Sequence, residues 1–210
     1  MITVGLTGAT GAGKGALCEI FEKYGIHCLD TDLVSRLVCK PGMPCTLELA
    51  KEFGEDILLG NGSLDRKALA KKVFCSENNN TLLERLNNIT HKHILEYADS
   101  WIESQRSSGA KAAVIDAPVL FESGYDKKCD YIIGITADKK LRIRRIIKRD
   151  NIDRAIAEKR ASLQKDDDFL KKHCDVVFSN NTDRQALEKL AADTVKSLSE
   201  GIIPKIRIKA

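Results

Sequence analysis

Residues 7–16 read Thr-Gly-Ala-Thr-Gly-Ala-Gly-Lys-Gly-Ala, and Gly8, four residues and then Gly13-Lys14 have the spacing of a P-loop. Glycines let successive backbone N–H groups turn onto one phosphate, and the lysine reaches the outer phosphates of a nucleoside triphosphate. Gly8, Gly11, Ala12, Gly13, Lys14, Gly15 and Ala16 are therefore the candidate nucleotide-binding residues, and Lys14 the first candidate catalytic group. One position departs from the pattern. The residue after the lysine ordinarily offers a hydroxyl to Mg²⁺; here it is Gly15, and Ala16 does not restore it.

Carboxylates recur at strand ends. Cys28-Leu29-Asp30-Thr31-Asp32 closes one apolar run, with Arg36 one helical turn further on. In an open parallel sheet, the C-terminal ends of strands border the ligand crevice. One carboxylate at that edge can accept a proton from an attacking hydroxyl and the other can hold metal-bound water. Asp30 also suits a helix cap, which is the role expected of it. Asp32, with Arg36 on the same helical face, is the candidate for chemistry. Val114-Ile115-Asp116 ends a second run as a Walker-B strand does, with Asp116 close to Mg²⁺.

Arg142, Arg144, Arg145, Lys148 and Arg149 crowd a helix whose apolar stripe is Ile143, Ile146 and Ile147. About half of these cations read as a solvated face. The others suit a lid that neutralises charge on a transferring phosphoryl group. His91 and His93 are not a metal pair, because positions i and i+2 do not share a helix face. A structural or substrate-contact role is expected for them.

The elements that must position these groups alternate. Ile2–Leu6, Ile26–Leu29, Ala112–Ile115, Tyr131–Ile135 and Val176–Phe178 are strand-like, with helical patterns between them. That predicts an α/β fold with a parallel sheet covered by helices on both faces. Leu17, Ile20, Phe21 and Tyr24 recur at helical spacing, so a helix begins near Lys14, its positive end adding to the loop, and Gly25 suits its stop. About 80 residues between the second and third runs carry no convincing strand and read as a helical insertion. Its helical candidates are Leu47 to Phe53, Asp65 to Phe74 (capped by Ser63 or Asp65) and Leu82 to Ser104. Asp138 is the expected cap of the basic helix. Asn78-Asn79-Asn80 reads as a loop, and the tail from Lys205 to Lys209, alternating apolar and basic, is given no function.

With 210 residues the chain is one domain or a core with inserted lobes. Basic and acidic residues number 34 and 30, and aromatics make up 5%, so nucleic acid is not an expected partner. The net charge of +4 suits a small polyanionic substrate. No apolar run approaches membrane-spanning length. Met1 leads straight into the first strand, and the seven cysteines are odd in number with no C-x-x-C pair. A cytoplasmic protein with reduced thiols is therefore expected, with no zinc site and no signal peptide.

In order along the chain, these residues resemble the dephospho-coenzyme A kinase family, P-loop kinases of the nucleoside-monophosphate-kinase type. The resemblance runs through Gly5-Leu6-Thr7-Gly8 and the loop, Asp30-Thr31-Asp32 with Arg36, Pro41-Gly42, Phe53-Gly54 and Gly62-Ser63-Leu64-Asp65-Arg66. Its most specific segment is Asp116-Ala117-Pro118-Val119-Leu120-Phe121-Glu122, similar to the family's Asp-x-Pro-Leu-Leu-Phe-Glu. Arg145, Arg149-Asp150, Arg160 with Gln164, and Asp175-Val176-Val177 with Asn180 complete it.

The resemblance implies a three-layer P-loop kinase core with a five-stranded parallel sheet, a helical substrate-binding insertion and a helical lid. The corresponding segments are 1–33, 110–137 and 166–210 for the core, 34–109 for the acceptor-binding insertion and 138–165 for the basic lid. The implied reaction is Mg²⁺-dependent, in-line transfer from ATP to the ribose 3′-hydroxyl of dephospho-coenzyme A. Lys14 and the loop would hold the ATP phosphates, and Asp32 would be the base. Arg145 and Arg149 would be lid residues, and Asn180 would lie by the adenine. Arg36, His91 and Glu122 would contact the acceptor, and Asp32 and Asp116 would hold Mg²⁺ through water.

Two positions depart from the family, namely Gly15 and His91-Lys92 in place of His-Pro. Another P-loop small-molecule or nucleotide kinase is the alternative, against which the Asp-x-Pro-x-x-Phe-Glu segment and the size of the insertion argue. A GTPase lacks its Asn-Lys-x-Asp guanine reader here. A catalytically weakened nucleotide binder has only Gly15 in its favour. Because Mg²⁺ keeps several waters and few protein ligands, a working enzyme with a weakened metal site is expected.

Overall fold

The computed structural model describes residues 1–75, 79–162 and 167–204. Asn78, Gln164 and the tail from Lys205, all singled out above, lie outside the described residues, whereas Asn79 and Asn80, expected in a loop, begin a helix. Strands and helices alternate in the order β1 (Ile2–Gly8), α1 (Lys14–Lys23), β2 (His27–Asp30), α2 (Thr31–Val38), α3 (Pro44–Phe53), α4 (Arg66–Phe74), α5 (Asn79–Ser107) and β3 (Ala112–Asp116). The second half contributes β4 (Tyr131–Thr136), α6 (Lys139–Asp150), α7 (Arg154–Ser162), α8 (Asp167–His173), β5 (Val176–Ser179) and α9 (Arg184–Ser199). All five predicted runs are strands, and β1 extends two residues further, into the glycine loop. The chain forms two compact units, Met1–Leu29 with Ile102–Ala210, and Asp30–Trp101.

The first unit is built on the sheet, whose strand order is β2-β3-β1-β4-β5. β1 pairs in parallel with β3 and β4, and β4 with β5. Every residue of β1 is buried, as a central strand covered on both faces requires. Ile2, Val4 and Leu6 point to one face, where they meet Leu17, Ile20 and Phe21 of α1 and Leu187, Ala191, Val195 and Leu198 of α9. Burying each large side chain there contributes about 1.5–3 kcal/mol relative to leaving it in water. The exposed pairs Lys23–Glu188 (2.7 Å) and Arg184–Glu19 (2.5 Å) also join these helices, but such pairs add at most about 1 kcal/mol each. Packing therefore fixes α1, and with it the loop that precedes it.

Two aspartates set the stagger of the sheet. Asp130 Oδ2 accepts from the Thr3 N–H and Asp175 Oδ2 from the Ile132 N–H, both at 2.8 Å. Each stands just before a strand and satisfies an N–H of the neighbouring strand. Beyond β4, α6 and α7 pack through a small cluster of their own, Ile143, Ile146, Ala157 and Ala161.

The second unit is helical. Among the described residues its one sheet-like pairing is an isolated antiparallel bridge, Leu58 with Leu64. Asp30 Oδ1 caps α2, accepting from the N–H of Asp32 (2.8 Å) and Leu33 (3.3 Å). Asp65 rather than Ser63 caps α4, accepting from Lys67 N (2.9 Å) and Ala68 N (3.0 Å). Val34, Val38, Leu49, Phe53, Ile57, Leu69 and Val73 are buried in this unit. Asp138 does not act as the side-chain cap expected of it. It occupies the cap position of α6, but its side chain makes no capping bond. Its backbone N–H is instead held by Asn181 Oδ1 at 2.7 Å, which ties the start of α6 to the end of β5.

Candidate active site in the glycine loop and the arginine helix

Two loop glycines are demanded by their surroundings. Gly8 has φ +150°, and a Cβ there would run into the carbonyl oxygen of Ile135 on β4. Gly13 has φ +112°, and a Cβ there would strike the Asn180 amide nitrogen. Gly15 is the opposite case, since nothing lies within 4 Å of a Cβ built on it. Close packing explains the first two glycines and leaves the missing hydroxyl at Gly15 without a steric cause.

The loop is braced from behind. Asn180, 5% exposed, donates from Nδ2 to the Ala12 carbonyl at 2.7 Å, and its own N–H donates to Thr136 O at 2.8 Å. Its side chain is thus taken up by the loop. Arg145 reaches the same stretch from α6: Nη1 donates to Gly11 O (3.2 Å) and Ala12 O (3.4 Å), and Nη2 to Thr182 O (3.4 Å). Burial pulls the Arg145 guanidinium below the usual arginine range. Lys14 folds over the loop, with Nζ donating to Gly8 O at 3.3 Å. Ala16, in the first turn of α1, packs against the main core, which holds the helix start in place.

Asp116 ends β3 in register with Leu6 of β1, so its carboxylate lies at the same sheet edge as the loop. It is 8% exposed, and Cys18 Sγ from α1 approaches its Oδ2 at 3.8 Å. Among the described residues, no group of three or more His, Cys, Asp or Glu is placed to hold a metal ion. That does not conflict with Mg²⁺, which usually takes one or two carboxylates, several waters and the phosphates themselves. A single buried carboxylate beside the loop fits such an ion.

A cleft of about 430 Å³ opens alongside the loop in the same unit. Thr7, Gly8, Ala9 and Thr10 form one wall, and Pro118, Phe121 and Leu170 supply apolar surface. Its charged lining is Glu122, Arg149 and Arg160. Asp150 aligns the two arginines. Arg149 donates from Nε to Oδ1 (2.7 Å) and from Nη2 to Oδ2 (3.1 Å), and Arg160 Nη1 to Oδ2 (2.8 Å). The Arg149 hydrogen bonds, with Arg160 beside them, hold the Asp150 carboxyl below its usual range. A cleft of this size, with two guanidinium groups beside a phosphate loop, can take a phosphorylated small molecule.

The remaining candidates belong to the second unit. Asp32 and Arg36 are exposed on α2, in its first and last turns. His91 is half-buried on α5. His93 turns to the other side of that helix, where its Nε2 pairs with Glu48 Oε2 at 2.7 Å, joined by Lys92 Nζ at 3.2 Å. Lys92, the residue in place of the family's proline, is therefore engaged in pinning α5 to α3. Sequence reasoning did not find the Asn180 brace or the cleft walls at Thr10 and Leu170. Asn180 carried a signal only through the resemblance, and its partner lies at the other end of the chain.

A strand that delivers a glycine loop to a helix, beside a parallel strand ending in aspartate, defines a P-loop kinase fold, and solved structures agree. One from Thermus thermophilus superimposes with a TM-score of 0.76 over 94% of this chain and 97% of the other, at 24% identity. A dephospho-CoA kinase from Campylobacter jejuni gives 0.69 over 95% and 98%, also at 24% identity. The family model described as "CoaE: Dephospho-CoA kinase" matches residues 2–186. A dephospho-CoA kinase from Corynebacterium glutamicum is 37% identical over 200 residues, covering 95% of this chain and 97% of that protein. One from Moorella thermoacetica is 38% identical over 165 residues, covering 78% and 76%. The chain belongs to the dephospho-CoA kinase family. It is an ATP-dependent transferase that converts dephospho-CoA to CoA, with Mg²⁺ as the metal partner of ATP.

Proposed function

We propose that the phosphoryl group goes in line to the ribose 3′-hydroxyl of dephospho-CoA, with the roles divided between the two units. In the first, the loop from Gly8 to Ala16 and Lys14 hold the phosphates of ATP. Asn180 and Arg145 shape the loop through its carbonyls, and Arg149, aligned by Asp150, meets charge developing on the transferring group. Asp116 would hold Mg²⁺ through water, and the ion would neutralise phosphate charge. Glu122 lies in the cleft wall, where a carboxylate suits a hydroxyl or amide of the acceptor.

Residues 34–109, which take in most of the second unit and the end of α5, act as the acceptor-binding insertion, and residues 138–165 act as the lid. Asp32 is the base that takes the 3′-hydroxyl proton and would help hold Mg²⁺ through water, and Arg36 and His91 contact the acceptor. A cytoplasmic setting is part of this reading, supported by seven cysteines that are all free thiols and by the absence, among the described residues, of any helix long and apolar enough to cross a membrane.

The observation that carries these roles is the cleft in which Arg149 and Arg160 stand beside Thr7 to Thr10. The test is a coupled assay of ATP consumption with dephospho-CoA against nucleoside monophosphates, with the product's phosphate located by phosphorus NMR. Turnover confined to dephospho-CoA, with the new phosphate at the 3′ position, is expected. Comparable turnover of a nucleoside monophosphate would refute it.

A further inference from the structure

Six of the seven cysteines are at least partly covered, and four of them form two pairs in side-chain contact, Cys18 with Cys28 and Cys39 with Cys45; the second pair flanks a tight turn. Cys39 follows the last turn of α2 and Cys45 sits in the first turn of α3, with their sulfurs 3.7 Å apart. The connecting turn is braced, with Met43 N donating to Lys40 O at 3.1 Å and Thr46 Oγ1 donating to the same carbonyl at 2.8 Å. Pro41 and Pro44 stiffen it further. Closing from 3.7 Å to a disulfide bond of about 2.05 Å asks for a side-chain movement of about 1.7 Å.

We propose that Cys39 and Cys45 form a redox modification site, an intramolecular dithiol that exchanges with low-molecular-weight disulfides. The two thiols are unequal in the way such exchange requires. Cys39 is half-buried, whereas Cys45 is 1% exposed. The Cys45 hydrogen bond, with Arg66 and His93 nearby, lowers the Cys39 thiol to about 7. The same contact, with burial, pushes Cys45 up. Burial pushes Cys129 and Cys174 up to about 12, so neither competes as a thiolate near neutral pH. Cys75 is exposed but lies at the end of another helix.

The Cys39 thiolate attacks one sulfur of the disulfide RSSR and releases RS⁻, leaving a mixed disulfide on Cys39. Cys45 then loses its proton and attacks the Cys39 sulfur, releasing the second RS⁻. Two protein thiols are oxidised to one disulfide, one RSSR is reduced to two RSH, and the two thiol protons end on the RSH products.

Lys40 is followed by Pro41, which blocks trypsin, so both cysteines fall in one tryptic peptide, residues 37–51. The full chain is incubated with glutathione disulfide at neutral pH, quenched with acid, alkylated and digested. The expected result is that this peptide becomes lighter by two hydrogens, takes no alkyl group, and recovers both sites after dithiothreitol, while Cys75 stops at the glutathione adduct. Cys39 remaining alkylatable, or retaining glutathione without closing onto Cys45, overturns the proposal. In Cys45→Ala, glutathione should persist on Cys39, and iodoacetamide should label Cys39 roughly tenfold more slowly at pH 7. An unchanged labelling rate removes Cys39 as the attacking thiol. The main readout needs no variant and no turnover, so its failure leaves the kinase assignment untouched.

Discussion

Asn180 and Ala12 are joined by a 2.7 Å hydrogen bond between a buried amide and a loop carbonyl, at opposite ends of the chain. The bond makes the end of β5 a structural part of the phosphate loop. Among the described residues, Asn180→Ala leaves the Ala12 carbonyl with only the longer side-chain contact from Arg145, at a cost of about 1–3 kcal/mol. The loss should appear in both stability and ATP binding, with a lower melting temperature and roughly tenfold weaker ATP affinity by calorimetry. Unchanged affinity would show that the loop holds its shape without the brace.

Gly15 tests whether the absent hydroxyl matters. Space around it is open, and it lies in the first turn of α1, so Gly15→Ser should fold at least as well, gaining a few tenths of a kcal/mol in helix propensity. The expected kinetic effect is a lower Mg²⁺ concentration for half-maximal rate. An identical Mg²⁺ dependence would mean that the carboxylates and waters already saturate the site. Gly13→Ser should instead be poorly folded, because its side chain would enter the Asn180 amide.

Asp32→Asn separates chemistry from binding. Removing a general base typically costs 10²–10⁴-fold in rate. The expected result is a fall in kcat of that order with ATP affinity within about threefold of the parent. Parallel losses in both quantities would remove Asp32 from the base role.

Asp150 gives the arginine helix an acid sensitivity. Its folded pKa lies below the unfolded value, so its contribution to stability is complete above about pH 4 and is lost as pH falls through the lower folded value. Thermal melts from about pH 5 downward should show Asp150→Asn losing less stability with acid than the parent. Equal slopes would mean that the Arg149–Asp150–Arg160 group contributes nothing measurable.

The strands were legible because apolar runs bounded by turn residues leave little choice in a sheet covered on both faces. The caps were partly so. Asp30 and Asp65 act locally, within three residues of their partners, but Asp138 yields to Asn181, a contact that spacing along the chain does not reveal. The loop glycines could be read from their spacing, yet what requires Gly13 is Asn180, distant in sequence. The Cys39–Cys45 pair stayed hidden for another reason. Five intervening residues match no metal or redox spacing, and only the tight turn between two helices brings the sulfurs together. Long-range polar contacts and turn geometry were therefore the parts that the one-dimensional pattern could not supply.

The central strand has a consequence for how the chain is made. β1 is made before both of its neighbours, β3 and β4, which begin with Ala112 and Tyr131 in the second half of the sequence. During synthesis an apolar strand flanked by a glycine loop must wait unpaired while residues 30–101, a compact unit made of one continuous stretch, can already condense. The order of emergence thus runs against the order of burial, and the segment most exposed to aggregation or chaperone capture is the one that later cradles the nucleotide.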